Sequence, residues 1–166
     1  MPKYPEMNYC MQCGSKLEKR KHETEGETPF CLNCNTWRYP VFNTAVSMIV
    51  MNSDKDKILL IKQYGSNSYI LTAGYVNKGE DAEEAVRREI MEELGLKVSE
   101  VFFNKSKYYA PSNTLMLNWM CTVENENVNS NYEVDEWKWF DIEDAKNNIR
   151  KDSLAEKFLF HYLENI

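Results

Sequence analysis

The sequence predicts an α+β domain built on a mixed sheet, with a small cysteine-bearing module ahead of it. Three observations carry that expectation. Four of the five cysteines fall in two Cys-x-x-Cys pairs, Cys10/Cys13 and Cys31/Cys34, near the start of the chain. Beyond residue 44, strand-like and helical patterns are mixed, without the strict alternation of a doubly wound parallel sheet. The 166 residues are 43% hydrophobic and 13% aromatic, enough for one packed core plus an appendage, which rules out wholesale disorder.

Residues 1–40 form the module. Its two knuckles are 17 residues apart, a spacing that reads as a four-thiolate zinc ribbon. A two-residue gap lets both sulfurs of a knuckle reach one tetrahedral ion at about 2.3 Å. Gly14 follows the first knuckle, where a tight turn asks for positive φ. The alternatives are two disulfides, which are rare in a reducing cytosol, or a redox dithiol, which needs one knuckle rather than two. Four thiolates leave no open coordination position, so the Zn²⁺ is expected to be structural. It would supply folding free energy to a segment too short to bury a core. The intervening stretch, Ser15 to Pro29, is charged and lacks an apolar period, so it is read as a loop.

Residues 41–166 form the main domain. Thr44–Met51 is an apolar strand, Asn52 to Asp56 a turn, and Ile58–Ile61 the return strand of a hairpin. Tyr69–Thr72 is a short strand leading into Gly74. Asp81–Leu94 is helical. Val98–Tyr109, Thr114–Val123 and Val134–Phe140 are further strands. Asp141 and Ser153 stand as caps before helices over Ile142–Ile149 and Leu154–Leu163. Cys121 lies in an apolar run and reads as a small buried hydrophobe. His22 and His161 have no Ser or Cys context for nucleophilic catalysis and read as surface or packing residues.

Charge narrows the function classes. With 20 Lys+Arg against 26 Asp+Glu the net charge is −6. Phosphate affinity comes from Lys and Arg, so a general nucleic-acid coater is excluded and no DNA partner is expected. A phosphorylated substrate would need a divalent cation to offset repulsion. Met1 to Asn8 is polar and proline-broken, unlike a secretory leader. No run approaches the ~18 apolar residues of a membrane span. The expectation is a cytoplasmic protein with no membrane partner.

The most informative stretch runs from Gly74 to Leu96. On a helix over Asp81–Leu94, Glu89, Glu92 and Glu93 are three and four apart and share one face. Val86, Ile90 and Leu94 recur every four residues as the neighbouring buried stripe, and Gly95 stands where a helix C-terminus takes a glycine. Three carboxylates on one face repel each other. A solvated acidic face tolerates that, and so does a site for a hard cation such as Mg²⁺, which favours carboxylates, waters and phosphate oxygens.

The other positions decide between these. The stretch resembles the signature of the Nudix hydrolases, G-x5-E-x7-R-E-U-x-E-E-x-G-U with U aliphatic. Gly74, Glu80, Arg88, Glu89, Ile90, Glu92, Glu93, Gly95 and Leu96 match at every defined place. The resemblance implies a Nudix-type α/β/α sandwich and a loop–helix–loop that holds Mg²⁺ or Mn²⁺ to hydrolyse a nucleoside diphosphate linked to another moiety. It makes Glu89, Glu92 and Glu93 metal ligands, with Glu93 nearest the attacking water. Glu80 and Arg88 become a scaffold ion pair, and the Gly74 carbonyl a possible further ligand. Cations bridging pyrophosphate oxygens offset developing charge and acidify a bound water. A carboxylate within reach accepts the proton.

A zinc ribbon directly before such a domain resembles a narrower group, the NADH pyrophosphatases. The likeness runs from about Cys10 to Phe140. It takes in Arg38-Tyr39-Pro40 and Leu71-Thr-Ala-Gly74-Tyr75. In that group aromatics before the proline and after the box glycine stack on the nucleotide, which points to Tyr39 and Tyr75. The group's S-Q-P-W-P-F-P-x-S array, which marks NADH preference, corresponds to Ser106 through Thr114. Ser106, Leu115 and Met116 agree, Tyr109 takes the tryptophan position, and the prolines are largely displaced. The metal site would be completed by Glu133, with Glu136 the alternative, ahead of Trp139-Phe140. The resemblance implies hydrolysis of NADH or NAD⁺ to nicotinamide mononucleotide and AMP, an NAD-capped RNA end as a further substrate, and a homodimer. ADP-ribose or a dinucleoside polyphosphate is the alternative substrate. A nucleotide-binding regulator without catalysis is the alternative class.

Overall fold

The computed structural model describes residues 7–165. The chain divides into two compact units, residues 1–43 with 110–113, and residues 44–109 with 114–166.

In the first unit, β1 (Glu18–His22), β2 (Gly26–Cys31) and β3 (Thr36–Trp37) form an antiparallel sheet in the order β1-β2-β3. The hairpin occupies the stretch read as a loop. Its strand β1 carries the sequence EKRKH and is exposed nearly throughout. A strand open to water on both faces leaves no alternating pattern to read. What holds it is the backbone ladder to β2 and contacts such as the Arg20 guanidinium 4.7 Å from the Phe30 ring centre.

The second unit holds a six-stranded sheet. β4 (Asn43–Met51), β5 (Lys57–Gln63), β6 (Thr72–Tyr75), β7 (Val98–Tyr109), β8 (Thr114–Val123) and β9 (Val134–Asp141) run in the order β7-β8-β4-β5-β9, with β6 paired to β4. Helices α1 (Ala82–Leu94), α2 (Ile142–Asn148) and α3 (Leu154–Leu163) cover it. The central strands are buried on both faces, which is why they read as unbroken apolar runs. Val46, Met48, Val50, Leu59 and Ile61 pack with Ala85, Val86, Ile90 and Leu94 of α1. The alternate residues Ile49, Met51, Ile58 and Leu60 pack with Ala145, Ile149, Phe158 and Leu159. The period of two along each strand thus sends successive side chains to opposite helical layers.

The strand foreseen at Tyr69–Thr72 lies three residues later, at Thr72–Tyr75. Ile70 makes only an isolated bridge to Ile61, and Leu71 is buried in the α2/α3 layer. The ladder falls to Thr72–Tyr75 against Ala45–Met48, so Gly74 faces Val46 within the sheet.

Candidate metal-binding and active site

The helix α1 is fixed at both ends. The Glu84 carboxylate accepts the Asp81 N–H at 3.1 Å, which supplies a partner to an otherwise open donor. Gly95 closes the helix at φ 65°, its N–H donating to the Met91 carbonyl at 3.0 Å. The loop before β9 completes the C-terminus. Asn129 N–H donates to Leu94 O at 2.9 Å and Asn131 N–H to Glu93 O at 3.0 Å, satisfying carbonyls the helix cannot pair internally. The Asn131 side chain then accepts the Glu133 N–H at 2.9 Å. In this way a stretch some 40 residues downstream is tied to the glutamates of α1.

Arg88 organises the acidic face. Its Nε and one terminal nitrogen hold both Glu80 oxygens at 2.7 and 2.9 Å, a bidentate pair of the strong kind. The other terminal nitrogen reaches Glu89 at 2.7 Å and Glu92 at 3.0 Å. A further bond goes to the Tyr75 carbonyl at 3.0 Å. Glu80 also accepts the Asn77 N–H at 3.0 Å. The Arg88 guanidinium, with that backbone bond, holds the Glu80 carboxyl down at about 2.

Glu93 sits in a different setting. It is 4% exposed, and Gln63 donates to it at 3.2 Å from the end of β5. Burial pushes its carboxyl up to about 7, and the nearby charges of Glu89, Glu133 and Glu92 add to the rise. A buried carboxylate opposed by three others, with a neutral amide as its hydrogen-bond partner, is a donor set suited to a hard divalent cation. The Glu89 carboxyl group lies directly over the Cα of Gly74, and a Cβ there would overlap it. Glycine at 74 is therefore a condition for the position of Glu89. Glu133 accepts the Tyr64 hydroxyl at 3.1 Å. Glu136 is taken up by Lys62 at 2.7 Å and by the Tyr69 hydroxyl.

In the first unit the four sulfurs of Cys10, Cys13, Cys31 and Cys34 lie within 4.8 Å of one another. Tetrahedral zinc with arms of about 2.3 Å spaces its sulfurs by about 3.8 Å. The Cys13–Cys31 and Cys10–Cys34 separations are 3.5 and 3.9 Å. Arg38 donates to Cys10 Sγ at 3.1 and 3.2 Å, and the Cys34 N–H to Cys31 Sγ at 3.4 Å, contacts that favour thiolates. Hydrogen bonds from Ser15 and Asn33 hold the Cys13 thiol down, while the neighbouring Cys13 sulfur pushes Cys34 up. Four sulfurs this close do not all ionise unless a cation sits among them, and the cluster fits zinc.

Among the described residues these cysteines are the group of ligand atoms that converges this tightly. Glu89 and Glu92 meet instead on Arg88. The three tyrosines are all substantially exposed, Tyr39 in the first unit, Tyr75 at the end of β6 and Tyr109 at the end of β7. Cys121 is buried, its thiol pushed up by that burial. Sequence reasoning missed Gln63, Tyr64 and Asn131. Each lies outside the box and carries no motif of its own.

A family profile described as the NUDIX domain matches residues 41–162. A protein of Vibrio atlanticus named NAD-capped RNA hydrolase NudC is 27% identical over 93% of this chain and 63% of its own length. A Pseudomonas aeruginosa protein of the same name is 28% identical over 93% of this chain and 55% of its own length. Nudix hydrolase 19, chloroplastic, of Arabidopsis thaliana is 31% identical over 83% of this chain and 33% of its own. The chain thus spans between a third and just under two thirds of these curated relatives. A Nitrosomonas europaea NUDIX hydrolase superposes with a TM-score of 0.70 at 21% identity, over 95% of this chain and 91% of that one. The Nudix α/β fold, with its mixed sheet and flanking helices, is shown by these matches.

Proposed function

The chain belongs to the NUDIX domain family, and on that premise we propose that it is a divalent-metal-dependent pyrophosphohydrolase of NAD(H), free or as the cap of an RNA end. The products would be nicotinamide mononucleotide and AMP from the free dinucleotide, or nicotinamide mononucleotide and a 5′-monophosphate RNA from a capped end. The observation that carries this reading is the buried Glu93, set among Glu89, Glu92 and Glu133 with Gln63 as its polar partner. The names of the curated relatives point to the same substrate.

Glu89, Glu92, Glu93 and Glu133 would hold Mg²⁺ or Mn²⁺, which offsets the diphosphate charge and acidifies a water. Glu133 is assigned over Glu136 because its charge bears on Glu93, while the charge of Glu136 is paired with Lys62. Glu93 accepts the proton of the attacking water, and Gln63 fixes the orientation of its carboxylate. Arg88 keeps Glu89 and Glu92 in place, while Glu80 neutralises it from the far side. Tyr39, Tyr75 and Tyr109 are the candidate contacts to the base and nicotinamide rings. Zn²⁺ on the four cysteines is structural, and the working form is a homodimer.

The test is a panel of NADH, NAD⁺, ADP-ribose and dinucleoside polyphosphates with Mg²⁺ or Mn²⁺, run beside Glu93→Gln. The mutant is expected to keep its fold and to lose about 10²- to 10⁴-fold in kcat, the range for a positioned proton acceptor. Unchanged rates would refute the role. Nucleotide binding without release of a mononucleotide would instead make the protein a regulator.

A further inference from the structure

β7 ends on Lys107, Tyr108 and Tyr109. With Arg150, Lys151 and Lys157, from either side of the α3 N-terminus, they line a cleft of about 390 Å³. Asp152 is the one carboxylate in that lining, set against four cations. In a chain of net charge −6 this is a local reversal of sign. Clustered cations in a concave surface repel one another and draw an anion in. The Lys151 ammonium is already engaged by the Lys146 carbonyl at 2.9 Å and by Glu156 at 3.5 Å. Lys107, Arg150 and Lys157 are exposed.

The backbone around them is fixed. Arg150 N–H donates to the Tyr69 carbonyl at 2.8 Å, and Ser153 Oγ donates to the Arg150 carbonyl at 2.6 Å. The ten-residue helix α3 starts at the cleft, with Ser153 and Leu154 in its wall, and adds the partial positive charge of its N-terminus. Tyr108 and Tyr109 are 48% and 42% exposed. Half-open aromatic faces beside a cationic floor match the two halves of a nucleotide, its base and its phosphate.

We propose that this cleft binds a nucleotide phosphate through Lys107, Arg150 and Lys157, with Tyr108 against the base. The nucleotide is either a link of a single-stranded RNA or a free mononucleotide. This deepens the functional reading and rests on it for the ligand being a nucleotide. The segment that anchors Arg150 at Tyr69 reaches Glu89 at Gly74 five residues later. That is at most about 18 Å of extended chain between the two anchor points, with α1 and α3 on opposite faces of the sheet.

The probe is a fluorescein-labelled ten-nucleotide single-stranded RNA with a 5′-hydroxyl, which carries no diphosphate. Anisotropy titrations of the full chain between 50 and 200 mM salt give affinity and salt slope. Lys107→Glu/Arg150→Glu and, separately, Lys157→Glu are expected to weaken binding tenfold or more. Their slope of log K against log salt should fall by about 0.7 for each phosphate that the variant no longer neutralises. Lys21→Glu, with the same change in charge per site on β1, should stay within twofold of wild type. AMP that displaces the RNA assigns the cleft to a free nucleotide, and RNA that AMP fails to displace assigns it to the chain. Wild-type binding by both cleft variants, no binding at the lowest salt, or an equal loss in Lys21→Glu would overturn the proposal. RNA binding that depends on the cleft, in a protein that turns over no dinucleotide, would uphold this site and sink the hydrolase reading.

Discussion

At the scale of single residues, the acidic face works because one guanidinium is shared. Arg88 touches Glu80, Glu89 and Glu92 together with the Tyr75 carbonyl, so its neighbours are positioned as a set. Two predictions separate its parts. Gly74 lies under the Glu89 carboxyl, and its backbone is not among those of positive φ. Gly74→Ala therefore imposes no backbone strain, yet it must push Glu89 aside. A displacement of about 1 Å in such a constellation costs about a hundredfold in rate. The expectation is a loss of that order in kcat with the circular dichroism spectrum unchanged, and wild-type kcat in Gly74→Ala would contradict it. Glu80 is held at about 2, below its ordinary 4.5. A depressed carboxyl stabilises the fold above its ordinary value and loses that contribution as pH falls through the folded one. The Tm gap between wild type and Glu80→Gln should thus be constant above about pH 5 and close progressively between 4.5 and 2. A gap that widens on acidification would show that Arg88 is not what holds Glu80 down.

At the scale of elements, the junction of α1 with the loop before β9 brings Glu133 near Glu93. Gly95 is in the left-handed region, and a Cβ there would stand 3.0 Å from the Asn129 carbonyl oxygen. Gly95→Ala combines a left-handed alanine, which costs about 1–2 kcal/mol, with a shift of the Asn129 backbone. The prediction is a loss of stability of at least that size in urea, with KM for Mg²⁺ raised because the loop bears Glu133. Stability loss without any change in metal response would separate the loop from the site. This junction also shows what the sequence made legible. The strands β4 and β5 were readable because both faces are buried, and α1 because its apolar and acidic residues keep helical spacing. The β1–β2 hairpin was hidden because EKRKH is solvated on both sides. Strand β6 lies three residues later than expected because the apolar Ile70 and Leu71 serve core packing, while the middle of the ladder is Ala73 and Gly74, residues of weak strand character. Glu89, Glu92 and Glu93 share a face by their spacing, and the other positions from Gly74 to Leu96 singled them out. Gln63 is 30 residues from Glu93 in the chain, and only the pairing of β5 with its neighbours brings it there.

At the scale of the whole chain, the two units differ in what holds them. The second has two apolar clusters, one on each face of its sheet. In the first, the buried residues among those described are Cys10, Thr28, Phe30 and Cys31, two of which belong to the sulfur cluster. So small an apolar interior cannot offset the conformational entropy lost in ordering the unit. A zinc ion held by the four sulfurs would supply the folding free energy that this interior lacks. Removal of the metal with a chelator should abolish hydrogen-exchange protection along β1 and β2, with Phe30 and Cys31 amides exchanging freely. The amides of β4 and β5 should stay protected, because their cores hold no metal. Cys13→Ser should give the same pattern without chelator, since it removes one ligand and leaves three thiols that cannot close a tetrahedron. Protection of Phe30 that survives both treatments would mean that the hairpin ladder and the Arg20–Phe30 contact suffice alone, and that the four sulfurs serve some purpose other than the fold.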